Sequence, residues 1–505
     1  MSAPYIIKSF RGGVSDENDK GIVGSFKHGY GLDIHKRNDS LTCKNAAATV
    51  LGEDVGVLGS VTGTIMTGIV NVFLPISDGS TLAFTDRGSI WCRSGDQQWQ
   101  FVYNDENGKI IGAGEWEDDD GNDYIVWATQ TAIARKLYPG SFTTAPDTGN
   151  NRWDDATAVW KTEFVSQQSP WHTMKSAGGA FYIANGESLA EISFTDFAWD
   201  PITLNVRPGN LINTLEERDD YIILGSEKEG GDEEGHLWSW ISTSLNPVQK
   251  KKIPVQGINS LIYTELPLMQ GGSDGEIFFS DFNSVIPQHS IPGGGTTTPH
   301  GVTIENDLAV FGIFAGDYPG IWSYGRRNKN RSFSLNYDYR LVKTINGSSI
   351  STIAAIVMAN GDLLASWGTT DGSTSEYGID QIRTTTKATA IYEGLEFDGG
   401  SPQILKKFNN VMISMAPLPT GTSLSVKYKV NNQSTWEYAI TGANSTTFNT
   451  TNATGAEFIL GDVGYNFEIG LELNPSGSST PEIHAITTWV DGMQYEHGGI
   501  NYPNL

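Results

Sequence analysis

The chain has 505 residues and carries 58 Asp and Glu against 33 Lys and Arg, which gives a formal net charge of −25 at pH 7. A surface this acidic repels phosphate backbones, so specific nucleic-acid binding is not expected. Two cysteines exclude a disulfide framework, and no apolar run approaches the 18 residues of a membrane span. The opening residues lack the apolar core of a secretory signal, so we expect synthesis in a reducing cytoplasm and a chain of two or three domains.

Residues 1–62 form the first predicted region. They are dense in Gly, Asp, Asn and Lys and contain few runs that could become buried strands. This composition predicts an extended N-terminal arm with short β segments. Such an arm either lies over a neighbouring surface or supplies a strand to the domain that follows.

A repeated hairpin organises residues 63–393. A short apolar strand at Leu82–Phe84 is followed by a polar turn, then by a second strand that begins at Gly88 and carries Trp91. Similar phrases occupy residues 124–133, 181–192, 221–238, 268–278, 308–322 and 363–379. Four of the six steps between second strands are 40–45 residues, the size of a four-stranded propeller blade. The pattern predicts a seven-bladed β-propeller; hairpins at irregular spacing in another all-β fold are the alternative.

Twelve of the fourteen Trp lie within residues 63–393. Sugar stacking would be their functional interpretation, but periodic placement favours packing between adjacent blades. We also expect the small apolar strand of each hairpin to lie at the crowded centre, where the blades converge.

Two connections in this region are too long for simple turns, and one turn is basic. Residues 138–170 are expected to carry contacts or function, whereas residues 285–300 are expected to be a connector rich in Pro, Gly and Thr. The phrase "YGRRNKNRSF" is the one basic cluster that stands out in the acidic chain. Its cations could hold an acidic neighbouring subunit or a phosphate-bearing ligand, or form a solvated hairpin tip. They are Arg326, Arg327, Lys329 and Arg331.

Residues 394–493 change character. Apolar residues alternate with period two across Leu424, Val426, Tyr428 and Val430, and further strand runs follow between Gly, Ser and Thr turns. This spacing predicts a β-sandwich. Residues 494–505 are expected to form an extended C-terminal tail.

Two acidic loops offer oxygen atoms for a hard cation. One contains Asp118, Asp120, Asn122 and Asp123 around a glycine, and the other contains Asp232, Glu233 and Glu234. Alternate carboxylates around a turn supply part of a calcium shell, but both loops lack the full twelve-residue pattern. A solvated turn remains the alternative, and no other cofactor is expected.

No catalytic signature is present in the sequence: it has no nucleophile elbow, zinc-protease helix or phosphate-binding loop. The phrase "TDRGSIW" resembles the Asp-box of sialidases, with Asp86, Gly88 and Trp91 in place and Phe84 where that box has Ser or Thr. Because the box is a structural turn, we expect no enzyme. A propeller glycosidase is the minor alternative.

Both ends of the chain resemble virion structural proteins of tailed bacteriophages. The N-terminal phrases are "YIIKSFRGG" and "GSFKHGYGLDIHKRNDSLTCKNA", and the C-terminal ones are "APLPTGTSLSVKYKV" and "STPEIHAITTWVDG". The resemblance implies a tail subunit at a nozzle, tail-tip or adaptor position, synthesised in the bacterial host cytoplasm and located in the virion. It also implies other tail proteins as partners, and a homo-oligomeric ring around a DNA-exit conduit.

A glycan-binding receptor module for the host surface is the alternative from another class. It would use exposed aromatic side chains of the predicted sandwich. Trp436 and Tyr438 are the candidates.

Overall fold

The computed structural model describes residues 3–15, 25–36, 39–51, 68–95, 99–106, 108–130, 132–137, 159–161, 170–177, 179–192, 199–230, 234–327, 329–341, 352–371, 374–398 and 402–492. In these ranges the secondary structure consists of strands, turns and bends. The same ranges contain no helix that is long and apolar enough to cross a membrane. The predicted all-β class is therefore confirmed for the described residues.

Most described strands belong to seven four-stranded sheets, numbered here in chain order. In sheets 1–5 each strand pairs antiparallel with the next along the chain. The strands are, for sheet 1, Val70–Pro75, Ser80–Thr85, Ser89–Ser94 and Gln100–Asn104; for sheet 2, Ile110–Glu117, Asp123–Thr129, Ile133–Leu137 and Val159–Lys161; for sheet 3, Met174–Ala177, Ala180–Asn185, Ser188–Ile192 and Trp199–Asn205; for sheet 4, Asn210–Arg218, Tyr221–Lys228, Gly235–Trp240 and Gln249–Ile253. They are, for sheet 5, Ile258–Tyr263, Pro267–Gly271, Glu276–Ser280 and Val285–Ser290; for sheet 6, Val302–Glu305, Leu308–Ile313, Gly320–Gly325 and Ser334–Arg340; for sheet 7, Thr352–Ala359, Asp362–Asp371, Thr374–Lys387 and Asn45–Leu51.

Each predicted hairpin is present as the two central strands of one sheet. In sheet 1, Phe84 lies opposite Ile90 and Ala83 opposite Trp91. The turn residue Gly88 has φ of 88°, a backbone conformation that glycine adopts at little cost. Gly275 of sheet 5 has φ of 72°, so in these two sheets the Gly of the hairpin marks the turn.

The first strand of each sheet, which the hairpin pattern missed, forms the inner layer. These seven first strands contact one another in the order of the sheets, and Thr352–Ala359 of sheet 7 contacts Val70–Pro75 of sheet 1. The circular order is propeller-like. It corrects our expectation for the centre, since the apolar strand of each hairpin lies one position further out.

A bulge recurs near the start of the first strand in sheets 1, 2, 4 and 5. In sheet 1, Val70 and Val72 pair with the consecutive residues Thr85 and Phe84, so Asn71 is left outside the ladder. The equivalent extra residues of the other three sheets are Ile111, Asn213 and Asn259. A bulge frees one residue from its own ladder, so its polar groups can bond elsewhere.

The bulged residues hydrogen-bond the neighbouring sheet. Asn71 Nδ2 donates to the carbonyl of Ile110 at 2.8 Å, and the carbonyl of Ile111 accepts from the His172 backbone at 3.1 Å. Between sheets 7 and 1, Ser366 Oγ donates to the Val70 carbonyl at 2.7 Å. Directional bonds of this kind set the spacing of sheets that apolar packing alone would leave free to slide.

Tryptophans fill the spaces between adjacent sheets, as predicted. Trp127 packs with residues of sheets 1 and 2, Trp116 with sheet 3, Trp240 with residues of sheet 3, and Trp91 with residues of sheet 7. The Trp127 indole N–H donates to Asp105 at 2.7 Å, which satisfies a group that burial would otherwise leave unpaired. For these four Trp the packing interpretation is confirmed.

The chain divides into two compact units that differ from the predicted linear division. Unit 1 comprises Met1–Ala46, Tyr324–Tyr339 and Thr384–Leu505, and unit 2 comprises Ala47–Ser323 and Arg340–Arg383. The predicted tail at 494–505 and most of the insertion at 138–170 lie outside the described residues.

Two larger sheets make up most of unit 1. The five-stranded sheet has the order Ala3–Ile7, Ile483–Gly492, Lys406–Met415, Gly455–Gly464 and Ile440–Thr441. The six-stranded sheet has the order Glu437–Tyr438, Ser423–Val430, Phe467–Asn474, Ala390–Glu393 and His28–Tyr30, and Thr447–Phe448 also pairs with Ser423–Val430. Short pairs join Gly13–Val14 to Ser25–Phe26 and Leu32–Asp33 to Thr42–Cys43.

The N-terminal region contributes strands to several of these sheets. Ala3–Ile7 is an edge strand of the five-stranded sheet, His28–Tyr30 belongs to the six-stranded sheet, and Asn45–Leu51 is the outer strand of sheet 7. Supplying strands was one of the two roles expected for an arm. These three strands thus belong to sheets whose other strands come from distant sequence.

Candidate functional site

The four cations of the basic turn at residues 326–331 fall into two groups, two that bond to nearby groups of the protein and two that are exposed. Arg326 lies over the ring of Phe333 at 4.5 Å and donates to the carbonyls of Lys329 at 2.9 Å and Arg331 at 3.3 Å. Arg331 donates to the Lys36 carbonyl at 3.4 Å and lies 3.8 Å from Asp39. These two arginines stabilise the turn and its surroundings. Arg327 and Lys329 are exposed and extend from the same turn.

Further cations from distant parts of the sequence surround this turn in unit 1. Lys44 is buried and pairs with the buried Asp338 at 2.5 Å, and Arg11 pairs with Asp39. We define the basic cluster as Arg11, Lys36, Lys44, Arg326, Arg327, Lys329, Arg331 and Lys387. The carboxylates among these eight cations are Asp33, Asp39 and Asp338.

Titratable groups in the cluster respond to a positive local potential. Burial, followed by Lys44 and Arg327, lowers the pKa of His35 to about 3. Burial and the adjacent Lys36 and Lys44 lower the pKa of Lys387, although Asp33 opposes the shift. Cations held this close repel one another, and an approaching anion would relieve that repulsion.

Tyr438 belongs to the edge strand Glu437–Tyr438 of the six-stranded sheet, and Trp436 immediately precedes that strand. Lys427 and Lys429, two positions apart on Ser423–Val430, place their ammonium groups 4.7 and 4.6 Å from the Trp436 ring centroid. Gly470 on the next strand makes room for Lys427, since a Cβ there would come within 2.7 Å of the lysine Cγ. Cation–π contacts orient the indole of Trp436 on the sheet surface.

Tyr438 carries the exposed part of this aromatic pair. Its side chain is about half exposed, and its hydroxyl donates to Glu472 at 3.1 Å. Burial of the hydroxyl and the adjacent Glu472 raise the Tyr438 pKa. The site therefore combines two aromatic rings, two lysines and a carboxylate, a set that can both stack on and hydrogen-bond a sugar.

The first acidic loop is a self-bonded turn of sheet 2. The Asp118 carboxylate accepts from the backbone of Asp120 at 3.0 Å and of Asn122 at 2.8 Å, and the Asn122 amide donates to it as well. These bonds lower the Asp118 pKa, Asn122 contributing first. Over the described ranges, no three His, Cys, Asp or Glu side chains are grouped as a metal site. In the second loop, Asp232 and Glu233 lie outside those ranges.

Carboxylates also gather at the ends of several first strands in unit 2. A cleft of about 470 Å³ is lined by Glu115, Glu117, Asp123 and Glu217, with Ser77 donating to Glu115 at 2.7 Å. Sequence reasoning missed this group because Glu115 and Glu217 are 102 positions apart in the sequence. Only the circular order of the sheets brings them to one edge.

A contact spans the other end of these strands. Trp171, which precedes sheet 3, meets the His300 ring at 5.7 Å between centroids, and His300 precedes sheet 6. Lys109 lies 5.5 Å from the Trp171 ring. Sheets 3 and 6 are not neighbours in the circular order, so this contact crosses the opening between the first strands.

The acidic residues are distributed unequally between the two units. Unit 2 contains 41 acidic and 17 basic residues, a net charge of −24, whereas unit 1 contains 17 acidic and 16 basic residues. The acidity that characterises the whole chain is therefore a property of unit 2.

Comparisons with known proteins identify neither a family nor a relative. No family model matches the sequence, and no curated protein matches it. Among solved structures, the WD40 β-propeller domain of Doa1 aligns with TM-score 0.42 and 12% identity over 67% of this chain and 97% of that domain. The extracellular domain of a one-component system from B. thetaiotaomicron aligns with TM-score 0.40 and 12% identity over 74% of this chain. This chain covers 43% of that second protein's length. At these scores neither neighbour carries an argument about function, and the propeller-like arrangement rests on the sheet order itself.

Proposed function

We propose that this chain is a non-enzymatic structural subunit of the tail of a tailed bacteriophage. The observation that carries the proposal is the pairing of the two phrases that resemble phage virion proteins. Ala3–Ile7, which includes the start of the opening phrase, pairs in register with Ile483–Gly492 from the closing one, with Tyr5 opposite Thr488 and Ile6 opposite Thr487. Segments from opposite ends of the chain that resemble one protein class thus form a single sheet.

In this proposal unit 2 is a seven-bladed β-propeller. Support comes from the contact between the first strands of sheets 7 and 1, and from bonds that join the same two sheets further out. Arg93 donates to Gln381 at 3.0 Å, and Asn360 donates to the Gly79 carbonyl at 2.9 Å. Closure through polar bonds would make the propeller a rigid disc suited to bearing load.

The two larger sheets of unit 1 are proposed to form the β-sandwich expected for residues 394–493. Phe408 of the five-stranded sheet stacks on Phe467 of the six-stranded sheet at 4.6 Å between centroids. On Gly455–Gly464, Ala456 and Phe458 are buried while Glu457 and Ile459 are exposed. Alternation of this kind is typical of a sheet with one face in a core.

In a tail built from subunits of this design, DNA would pass between copies of the chain. The Trp171–His300 contact crosses the opening within unit 2, so a conduit along that opening is not supported. We expect a symmetric homo-oligomeric ring, in which closed interfaces set the copy number and other tail proteins bind above and below.

Locating the chain in purified particles tests the proposal. Quantitative mass spectrometry should find it in a multiple of three or six copies per particle, and gold-labelled antibody should mark one end of the tail. A stable monomer that never appears in assembled particles would overturn the proposal.

A second candidate function, host-glycan binding, is favoured by the Trp436 surface. This surface comprises the indole of Trp436, the half-exposed Tyr438, two lysines, and the Glu472 carboxylate that accepts a hydrogen bond from the Tyr438 hydroxyl. We expect Trp436→Ala to weaken binding to a responsive glycan array at least tenfold, since stacking on an aromatic face is lost. Tyr465→Ala, which removes another half-exposed aromatic of unit 1, is the matched control. An array on which the unmodified protein gives no signal would remove this candidate.

A further inference from the structure

We propose that the basic cluster of one copy binds the acidic unit 2 of a second copy, through Arg327 and Lys329. This inference rests on the proposed ring-forming function and names the contact that would join its subunits. Arg327 and Lys329 are exposed, whereas Arg326 and Arg331 already hold the turn that presents them.

Local charge supports an anionic partner. The cluster places eight cations around three carboxylates, and two of those carboxylates are held by Lys44, Arg11 and Arg331 within the cluster. Burial first, and then the neighbouring cations of the cluster, lower the pKa values of His35 and Lys387. A partner that supplies carboxylates would reduce this repulsion, and desolvation at an interface would strengthen the attraction.

Charge complementarity selects the second copy as that partner. Unit 2 carries a net charge of −24, which provides a broad acidic surface at the concentration of the protein itself. A contact of unit 1 with unit 2 of the next copy is heterologous, and such contacts generate rings when the rotation closes.

Self-association of the full chain at low ionic strength tests this inference. The double variant Arg327→Glu, Lys329→Glu should self-associate at least tenfold more weakly than the unmodified protein in sedimentation measurements. The control Lys8→Glu, Lys407→Glu makes the same change in net charge at two exposed lysines of the five-stranded sheet region and should behave like the unmodified protein. Added salt should weaken the association of the unmodified protein and leave the double variant nearly unchanged.

Cross-linking identifies which groups meet. In an equal mixture of ¹⁴N- and ¹⁵N-labelled protein, a carbodiimide joins lysine amines to nearby carboxylates without a spacer. We expect Lys329 to be linked to Asp or Glu of unit 2 in peptides of mixed isotopic composition. Links formed only within one isotope would overturn the inference, as would a double variant that associates normally.

Two further outcomes separate this contact from the other proposals. A double variant that loses binding to a DNA oligonucleotide while associating normally would assign the cluster to phosphate binding instead. If the double variant still assembles into particles that contain the chain at one tail end, the proposed function stands and this contact is wrong. Absence of the unmodified chain from particles would count against the proposed function, whatever the association measurements show.

Discussion

Unit 2 and unit 1 are both built from β-strands, but the strands are connected differently in the two units. In unit 2, sheets 1–5 are each built from consecutive strands, with tight turns such as the one at Gly88 between partners. In unit 1, neighbouring strands come from opposite ends of the chain, as Ala3–Ile7 and Ile483–Gly492 do. The five-stranded sheet therefore requires the closure of a loop that spans almost the whole chain, which is slow and entropically costly.

This contrast extends to charge. Unit 2 carries nearly all of the acidic excess on a repetitive framework, whereas unit 1 is close to neutral and includes a buried ion pair. We infer that unit 2 is stabilised by many equivalent local contacts and unit 1 by fewer, individually decisive ones. Three measurements test this inference about the two units.

Among single substitutions, we expect the largest loss of stability from breaking the buried pair of unit 1. Asp338→Asn leaves the Lys44 ammonium buried without its counter-ion, which should lower the free energy of unfolding by about 3–5 kcal/mol. Hydrogen exchange read peptide by peptide should show the loss of protection in unit 1. The double variant Lys44→Met, Asp338→Asn removes both charges and should recover most of the stability. Equal destabilisation by the single and double variants would contradict the ion-pair explanation.

Acid should destabilise unit 2 because two of its histidines are buried. Burial lowers the pKa of His172 and of His300 to about 4, and the His172 Nδ1 bonds the Ala184 carbonyl at 2.7 Å. Between pH 6.5 and 4 the unfolded chain binds protons at these positions that the folded chain does not. The free energy of unfolding should therefore fall as pH falls through that window, by about 3 kcal/mol per histidine, and change no further at these positions below about pH 4.

The matched variant for the acid prediction is His172→Asn, His300→Asn. Its urea-unfolding free energy should depend less steeply on pH between 6.5 and 4 than that of the unmodified protein. Parallel slopes for the two proteins would show that other groups account for the acid sensitivity.

A smaller effect is expected from crowding the space between two sheets of unit 2. A Cβ on Gly112 would overlap the backbone carbonyl of His172, so Gly112→Ala should push sheets 2 and 3 apart and cost about 1–3 kcal/mol. Gly235→Ala, where the nearest atoms lie at 3.4 Å, should change stability by less than about 0.5 kcal/mol. Melting temperature and hydrogen exchange of sheets 2 and 3 measure the difference. A similar shift for both variants would contradict the close-approach explanation.

The sequence predicted the hairpins well but missed their neighbours. Leu82–Phe84 and Ser89–Trp91 were recognisable because apolar strands alternate with turn residues over a short span. First strands such as Met174–Ala177 are short or mixed in polarity, and their bulged residues follow no two-residue period. Nothing local distinguishes Asn71 from a loop asparagine until the neighbouring Ile110 carbonyl is in place.

The candidate sites show the same division. Trp436 and the basic turn were identified from sequence because aromatic and cationic residues are conspicuous in an acidic, strand-rich chain. Their partners were not, since Lys427, Asp39 and Lys44 reach them from other strands or from residues nearly 300 positions away. The sequence could not show that Arg326 and Arg331 stabilise the turn while Arg327 and Lys329 are exposed. That distinction depends on which carbonyls and carboxylates lie within bonding distance.

By itself, the amino-acid order determined the all-β class, the seven hairpins, the burial of Trp side chains between sheets, and the acidity of the chain. These properties depend on residue type and on spacing over ten to twenty positions, which side-chain alternation and turn chemistry govern. Only the tertiary structure decided the circular order of the first strands, the division into two units and the pairing of the two chain ends. Those features depend on contacts between residues far apart in sequence. No local sequence pattern specifies which distant strand will pair with the backbone groups of a given strand.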